Sequence, residues 1–222
     1  MKNGRTPLSL RDISPTSQGQ TKKQGSPLHS RGDVAKRQGG SSEIRIIGGQ
    51  WKRSLLAVAS IEGLRPTPNR VRETLFNWLG QDLTGLHCVD AFAGTGALGF
   101  EAASRKAMSV LVCEQDPLLC RSLLGLRTKL AANNIQVIQG DAIAQMGKLA
   151  PNSVDVVFLD PPFQSDLFTP ALKAASRITK LGGFIYLESD RVWTSEELVP
   201  FSLSITRQGK AGMVCYHLLQ KG

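Results

Sequence analysis

The sequence contains few of the residues that build metal centres or disulfide frameworks. Its 222 residues include four cysteines and three histidines. The cysteines form no C-x-x-C pair and the histidines are scattered, so neither a zinc site nor a disulfide framework is indicated. No apolar run approaches the roughly 18 residues that cross a bilayer, and the N-terminal region lacks the apolar core of a secretory signal. We therefore expect a soluble cytoplasmic protein with no metal ion and no membrane partner.

Acidic residues are scarce near the N-terminus. Residues 1–42 hold eight Lys or Arg and two Asp or Glu, within a chain whose formal net charge is +9. The segment has few apolar residues and no helical or strand periodicity, so it cannot bury enough surface to offset its ordering entropy. We predict a disordered basic arm over residues 1–42, with a transit peptide as the alternative. The excess of positive charge favours an anionic partner.

Residues 43–80 predict a β-hairpin followed by a helix. Two β-prone runs flank Gly48-Gly49, which we expect to supply positive φ in the connection. Thr67 and Pro68 indicate a helix start, with Thr67 as the cap and Pro68 at the first helical position. A core-facing stripe then recurs at helical spacing, formed by Val71, Leu75, Trp78 and Leu79.

Beyond residue 84, short apolar segments that predict strands alternate with segments that predict helices. This alternation favours parallel pairing with helices on both faces, while a short glycine-containing turn makes the last two strands antiparallel. We predict a doubly wound, Rossmann-like α/β sheet, with its ligands at the carboxyl ends of the strands. The predicted strands are Leu86–Asp90, Ser109–Glu114, Ile135–Gln139, Val154–Asp160, Gly183–Glu188, Phe201–Thr206 and Met213–Leu219. The predicted helices lie around 96–106, 117–133, 142–150 and 166–179.

The first predicted strand of the sheet ends in Asp90 and runs into a glycine loop, Gly94-x-Gly96-x-x-Gly99. Such a loop opens a helix whose N-terminus binds an anion, and alone it fits the dinucleotide of a nicotinamide oxidoreductase. Asp90 would repel a pyrophosphate but suits a ligand that carries an ammonium and a sulfonium. Glu114 ends the next strand, where it can bind both ribose hydroxyls. These features favour S-adenosylmethionine.

Asp141 follows the next strand, and Asp160-Pro161-Pro162-Phe163 follows the apolar run Val157-Phe158-Leu159. Asp141 can accept a hydrogen bond from an adenine amino group or cap the following helix, and the two roles are compatible. The prolines lack an N–H, so their carbonyls and Asp160 offer acceptors only. Phe163 offers a face on which a nucleobase can stack, worth about 1–3 kcal/mol. The motif indicates a site for an exocyclic amino group, the alternative being a rigid turn with a core Phe.

With these motifs in place, the chain closely resembles the bacterial RsmD family of 16S ribosomal RNA guanine-N2 methyltransferases, which are class I enzymes. The resemblance runs from about residue 43 to the C-terminus and leaves the arm uncovered. Its first three stretches separate this family from other amino-methyltransferases. The stretches are Ile44–Trp51, Gly63–Thr67, Arg70–Leu79, Asp90–Gly99 and Asp160–Phe163.

The resemblance implies transfer of a methyl group from S-adenosylmethionine to the N2 of one flipped-out guanine, position 966 of 16S rRNA, on small-subunit assembly particles. By matching position, the cofactor would be held by Thr67, Asp90, Phe92, Gly94, Gly96, Glu114, Asp141 and Ala142. The guanine would be held by Asp160, Pro161, Pro162 and Phe163. For the RNA-facing surface of residues 43–80 we nominate Arg45, Trp51, Lys52, Arg53, Arg65, Arg70 and Arg72.

Other functions share parts of this pattern. A methyltransferase for adenine N6 in DNA, or for another RNA amino group, would share the same site, because Asp-Pro-Pro-Phe also serves adenine and cytosine. A non-catalytic RNA-binding module is the alternative from a different class, and would need a vestigial cofactor loop. We expect the chain to act as a monomer.

Overall fold

The structure is a computed structural model that describes residues 44–56, 67–163 and 165–222, all within one compact unit, residues 39–222. The predicted arm over residues 1–42 and the nominated Arg65 lie outside the described residues. None of the helices in the described part is long and apolar enough to span a membrane.

The elements alternate between strands and helices along most of the chain. They are β1 (Ile44–Arg45), β2 (Leu55–Leu56), α1 (Asn69–Leu79), β3 (His87–Asp90), α2 (Ala97–Ser104), β4 (Ser109–Glu114), α3 (Pro117–Lys129), β5 (Ile135–Gln139), α4 (Ala142–Lys148), β6 (Val154–Leu159), α5 (Phe168–Ile178), β7 (Thr179–Ser189), α6 (Ser195–Leu198), a 3₁₀ turn (Val199–Phe201), β8 (Leu203–Ala211) and β9 (Val214–Lys221).

Seven strands form one sheet in the order β5-β4-β3-β6-β7-β9-β8. The strands from β5 to β7 are mutually parallel, whereas β9 runs antiparallel to both β7 and β8. After β5 the chain returns across the sheet to β6 beside β3, so the topological switch point lies between β3 and β6. The predictions of a doubly wound α/β sheet with an antiparallel end, and of a separate antiparallel hairpin β1-β2, are confirmed.

Helices cover both faces of this sheet. On one face α1, α2 and α3 enclose a core that includes Phe76, Phe100 and Phe158. On the other face α4 and α5 enclose a second core that includes Met146 and Leu172. The central strands are apolar on both sides because both faces are buried. Each buried apolar side chain contributes about 1.5–3 kcal/mol, and together they hold the carboxyl ends of the strands in a rigid frame.

The glycines of the hairpin loop also allow close packing against α2. Gly49 has φ of +72°, as expected, but a Cβ on it would lie 1.9 Å from the Ser104 carbonyl oxygen. A Cβ on Gly48 would lie 2.2 Å from Nη2 of Arg105. Only glycine lets the loop lie this close to the end of α2, where Ser104 Oγ donates to the Gly48 carbonyl at 2.6 Å. The glycines therefore allow the hairpin to pack closely against the end of α2.

Helix α1 begins differently from the prediction. Pro68 is the N-cap residue rather than the first helical residue, and no side chain caps the helix. The expected cap, Thr67, instead donates its Oγ1 hydrogen to Oε1 of Glu188 at 2.9 Å. The capping prediction was wrong because a distant carboxylate in β7 offers the hydroxyl a buried acceptor.

The predicted core-facing stripe of α1 is confirmed, and the buried face of the helix extends beyond it. Val71 and Leu75 are buried as predicted, whereas Trp78 and Leu79 are only partly buried. Phe76 is fully buried and contacts Phe158 with ring centroids 6.1 Å apart. Trp78 and Leu79 also pack against this core, so the last turn of the helix faces it as well.

Candidate active site

Asp90 is the last residue of β3 and is buried beside the first turn of α2. Its Oδ2 accepts a hydrogen bond from the Gly99 backbone N–H at 2.8 Å. A Cβ on Gly99 would lie 2.9 Å from this same oxygen. The third glycine of the loop is therefore needed for the close approach of α2 to Asp90. Burial raises the pKa of Asp90 to about 7, and the carboxylates of Glu114 and Glu188 add to the rise.

The glycine loop turns the chain from β3 into the start of α2. Gly94 has φ of +52° and Gly96 has φ of +76°, conformations that favour glycine. Gly96 is the N-cap of α2 and offers no side-chain cap of its own, while Asp90 accepts the Gly99 N–H of the first turn. The positive dipole end and the other amides of this first turn suit an anion such as a carboxylate.

Glu114 ties this loop to the neighbouring strand. It ends β4, and its Oε2 accepts a hydrogen bond from the Gly94 N–H at 2.7 Å. Its Oε1 accepts another from the Asp116 N–H at 2.8 Å. A carboxylate has about four lone-pair positions, so Glu114 keeps acceptor capacity for hydroxyl groups while it fixes the loop.

Asp141 follows β5 and caps α4. Its Oδ1 accepts a hydrogen bond from the Ala144 N–H at 2.7 Å, which confirms the capping prediction. The predicted adenine contact is compatible with this bond, because Asp141 is exposed and has a second carboxylate oxygen. Next to it Ala142 is buried, and Phe92, after β3, is partly buried against the second core.

Asp160-Pro161-Pro162-Phe163 follows β6, which is the central strand next to β3. Asp160 and Phe163 are partly buried, Pro161 is buried and Pro162 is exposed. The Pro162 carbonyl accepts a hydrogen bond from Ser165 Oγ at 2.5 Å. A carbonyl oxygen has two lone pairs, so this bond leaves it one further acceptor position, and the roles predicted for the motif stay predictions.

Glu188 is a buried carboxylate of this site that the sequence did not reveal. It lies near the end of β7, and its Oε1 accepts hydrogen bonds from Thr67 Oγ1 and Tyr186 Oη, each at 2.9 Å. An available signal was its position, since an acid after the apolar run Ile185–Leu187 repeats the pattern of Asp90. Thr67, which was predicted to border the cofactor, is connected to the site through this hydrogen bond to Glu188.

Three carboxylates thus meet at the carboxyl ends of three adjacent strands, β3, β6 and β7. Burial raises the pKa of Asp160 well above its usual range, with further increases from Glu188 and Asp90. Buried acids that repel one another favour a cationic ligand, because a positive charge stabilises their ionised forms. Among the described residues, no cluster of three or more His, Cys, Asp or Glu has the arrangement of a metal site.

These features fit S-adenosylmethionine better than a dinucleotide. The positive dipole end of α2 suits the methionine carboxylate, and the buried Asp90 suits positive charge rather than a pyrophosphate. Glu114 stands where a ribose is expected, at the end of the strand that follows the glycine loop.

One nominated RNA contact, Arg72, is a buried structural residue instead. Its Nη1 lies 3.2 Å from Glu101 Oε2, and both side chains are fully buried. Its Nη2 donates to the Arg45 carbonyl at 2.8 Å and to Asn69 Oδ1 at 2.6 Å. Glu101 also binds Arg105, with 2.9 Å between Oε1 and Nη2. Arg72 therefore joins β1, α1 and α2, and cannot contact RNA.

The other residues predicted to contact RNA differ in where they lie relative to the site. Arg45, Lys52, Arg53 and Arg70 are exposed, while Trp51 is partly buried against the core. Arg70 lies within one turn of Thr67 and hence near the buried carboxylates. By contrast, the hairpin loop that carries Lys52 and Arg53 docks on the last residue of α2, the end away from the glycine loop.

Comparison with known proteins identifies the family to which this chain belongs. A sequence model of the family described as conserved hypothetical protein 95 matches residues 44–220. Ribosomal RNA small subunit methyltransferase D of Escherichia coli K12 is 40% identical over 185 residues, covering 82% of this chain and 92% of the relative.

Solved structures agree with the sequence relatives. The putative methyltransferase YhhF of Escherichia coli has a TM-score of 0.70 and 38% identity, over 81% of this chain and 98% of that one. A putative methylase of Haemophilus influenzae has a TM-score of 0.65 and 33% identity, over the same shares of the two chains, 81% and 98%. The predicted resemblance is confirmed, and the chain belongs to the RsmD family of ribosomal RNA small subunit methyltransferase D proteins.

Proposed function

We propose that this chain is an rRNA methyltransferase that transfers a methyl group from S-adenosylmethionine to the exocyclic N2 of one guanine, position 966 of 16S rRNA, on small-subunit assembly particles. The observation that carries the proposal is the convergence of Asp90, Glu114 and Asp160 at the ends of three adjacent strands, β3, β4 and β6. The names of the relatives support small-subunit ribosomal RNA as the substrate. Guanine is proposed from the family resemblance of the sequence motifs, because Asp-Pro-Pro-Phe alone serves other amino groups equally well.

The cofactor half of the site would be formed by the glycine loop and its neighbours. When bound, S-adenosylmethionine supplies an electrophilic methyl group on a sulfonium. Asp90, together with Gly94 and Gly96, would bind the methionine part, with the α2 amides receiving its carboxylate. Glu114 would bind the ribose, and Asp141 the adenine amino group. Thr67, Phe92 and Ala142 would border the same pocket.

The base half would be formed by Asp160, Pro161, Pro162 and Phe163. A guanine that leaves its stack, at a cost of a few kcal/mol that is lowest in a loop, would stack on Phe163. Asp160 would accept a hydrogen bond from the N2 amino group and turn the nitrogen lone pair toward the methyl group. Positioning dominates this direct in-line transfer: it contributes about 7–11 kcal/mol, against about 1.5–3 kcal/mol for the charge-assisted hydrogen bond.

The exposed basic residues of the N-terminal region would bind the RNA backbone. Arg70 follows Thr67, which bonds to Glu188, by three residues, and it would contact the RNA strand beside the target base. Lys52 and Arg53 lie at the far end of α2, about 12 Å along the axis of its eight residues, and would contact phosphates farther away. Phosphate contacts of this kind give affinity and register rather than base specificity.

The test offers labelled S-adenosylmethionine with three substrates: small-subunit particles that lack this methyl group, naked 16S rRNA and duplex DNA. We expect label on the particles. Label on DNA would instead indicate a DNA adenine methyltransferase. RNA retention with no label on any substrate would indicate a non-catalytic binding module.

A further inference from the structure

Glu188 lies beside Asp160 and has no part in the roles described so far. In the parallel pair of β6 and β7, Phe158 is aligned with Tyr186 and Leu159 with Leu187. The next residues along the two strands are Asp160 and Glu188. Because side chains alternate between the faces of a sheet, both carboxylates point to the face covered by α1. Neighbouring strands lie about 4.8 Å apart, so the two acids are close neighbours.

Two hydroxyl groups hold the Glu188 carboxylate. Thr67 Oγ1, just before α1, and Tyr186 Oη, within β7, both donate to Oε1 at 2.9 Å. Glu188 is 3% exposed, so these bonds replace water as its solvation. Hydrogen bonds to an ionised acceptor are stronger than neutral ones, and two donors on one oxygen therefore favour the charged form of Glu188.

We infer that Glu188 is a positioning residue of the methyl transfer proposed above: its charge, held by Thr67 and Tyr186, makes Asp160 a stronger proton acceptor and fixes the start of α1 over the pocket. The catalytic consequence rests on the proposed function. The pairing of the two carboxylates is a property of the chain alone.

The electrostatics of the surrounding groups support this assignment. Burial is the largest effect on Glu188 and leaves its pKa above the usual value, while the hydrogen bonds from Thr67 and Tyr186 reduce that rise. Burial also raises the pKa of Tyr186 well above its usual range, so this phenol stays protonated and remains a donor. For Asp160, burial is the largest cause of its raised pKa and Glu188 the second.

The other titratable groups around the pair do not replace this interaction. Asp90 of β3 is a further negative charge on Asp160, and Tyr216 of β9 acts on Tyr186. On α1 the guanidinium of Arg72 is bonded to Glu101 of α2. Glu188 is thus held by hydroxyl donors, and its charge acts on the acid next to it.

A stronger proton acceptor at Asp160 assists the step in which N2 loses a proton after it has received the methyl group. The nitrogen lone pair of N2 forms the new N–C bond while the bond between methyl and sulfur breaks, with its electrons remaining on sulfur. The nitrogen then carries a positive charge and must lose one of its two protons. That proton passes to a carboxylate oxygen of Asp160, and from there to solvent.

The test is Glu188→Gln in the full chain, because the amide oxygen still accepts the two hydroxyl hydrogens while the charge is lost. The titration of the Asp160 carboxyl carbon is followed by ¹³C NMR without RNA, and kcat/KM on particles is measured against pH. We expect the Asp160 midpoint to fall by about one pH unit or more, as for strongly interacting sites. The acidic limb of the rate profile should move to lower pH by the same amount.

Two further sets of variants separate charge from structure. Thr67→Val and Tyr186→Phe each remove one donor and should move the Asp160 midpoint in the same direction, by less than Glu188→Gln does. Glu196→Gln, which alters an exposed carboxylate on α6, should leave both readouts unchanged. Melting curves by circular dichroism identify variants that are merely unfolded.

The outcomes are distinct for the inference and for the proposed function. A Glu188→Gln variant that loses activity equally at every pH, with the Asp160 midpoint unmoved, would overturn the inference and leave Glu188 a structural residue. The same result in folded Thr67→Val and Tyr186→Phe would overturn it independently. A shifted midpoint in a wild-type chain that methylates no rRNA would instead contradict the proposed function and leave the pairing intact.

Discussion

Asp160 is the residue through which the proposed chemistry passes. Asp160→Ala removes the acceptor for the amino group but leaves the glycine loop, Asp90 and Glu114 in place. We expect methyl transfer to fall by at least about 10²-fold, in the range of positioned acid–base groups, while S-adenosylmethionine binds with unchanged affinity. Turnover of labelled cofactor and isothermal titration calorimetry measure the two quantities.

The matched control for this variant is Asp166→Ala, which removes an exposed carboxylate from the same segment of chain. It should retain both activity and binding. An Asp160→Ala enzyme with near wild-type turnover would remove Asp160 from the mechanism.

Gly99 is a second residue whose role can be tested. A Cβ there would lie 2.9 Å from Asp90 Oδ2 and 3.0 Å from Val112 Cγ2. Overpacking of this kind destabilises by about 1–3 kcal/mol, so Gly99→Ala should lower the free energy of unfolding and weaken cofactor binding. Urea denaturation and calorimetry would measure the two effects.

Gly125 also lies in a helix, but there we expect substitution by alanine to raise stability rather than lower it. It lies in α3, and a Cβ there would meet nothing within 4 Å. Because alanine is the better helix former, Gly125→Ala should stabilise the protein by about 0.5–1 kcal/mol. If the two substitutions had equal effects, the close approach of α2 to Asp90 would not be the reason for Gly99.

At the level of secondary-structure elements, Arg70 and Arg72 lie on the same helix, α1. We expect substitution of Arg72 to reduce stability and substitution of Arg70 to weaken RNA binding. Arg72→Met leaves the buried Glu101 with one partner fewer, and breaking a buried pair costs about 3–5 kcal/mol. Arg70→Ala alters an exposed residue, and should change stability by no more than about 0.5 kcal/mol. It should reduce the salt slope of RNA binding by about 1, the value for one lost phosphate contact.

These two variants are distinguished by urea denaturation and by RNA binding at several salt concentrations. An Arg72→Met protein with full stability would contradict the role of Arg72 in joining the hairpin to α1 and α2. An unchanged salt slope in Arg70→Ala would remove that residue from the RNA interface.

The same pair of residues shows what the sequence could reveal about these elements. Helical spacing predicted the existence of α1, and the apolar runs predicted β4 and β5 with their observed bounds. Spacing alone does not show that a basic side chain meets a buried acid, and the partner of Arg72 is 29 residues away. The four residues of α6 are likewise too few to show a period.

The candidate site likewise contains residues that the sequence pattern marks and one, Glu188, that it does not. Asp90, Glu114, Asp141 and Asp160 each follow an apolar strand, and this pattern is visible in the sequence. Glu188 follows one too, but no glycine loop or proline pair marks it. Its role depends on Thr67, which is 121 residues distant, and only the folded chain brings the two together.

At the scale of the whole molecule, the buried acids should make stability depend on pH. Asp90 has a pKa of about 7 in the folded chain against 3.8 for the unperturbed group, so the fold binds more protons than the unfolded chain between these values. The free energy of unfolding from this group is therefore greatest below pH 4 and declines as pH rises toward 7. We expect a loss on the order of a few kcal/mol.

The comparison that isolates this effect is Asp90→Asn, whose amide oxygen can still accept the Gly99 hydrogen bond. Urea denaturation of both proteins at a series of pH values gives the difference. The wild-type protein should lose stability relative to the variant across this interval. A difference that stays constant with pH would contradict the buried, proton-binding state of Asp90.

In the proposed reaction, one guanine N2 of small-subunit rRNA receives the methyl group. Digestion of rRNA from particles treated with this protein and S-adenosylmethionine, followed by mass spectrometry, identifies the modified nucleoside and its position. We expect N2-methylguanosine at a single position, and none with Asp160→Ala. Methyladenosine, methylcytidine or no methylated nucleoside in that digest would contradict the proposed reaction.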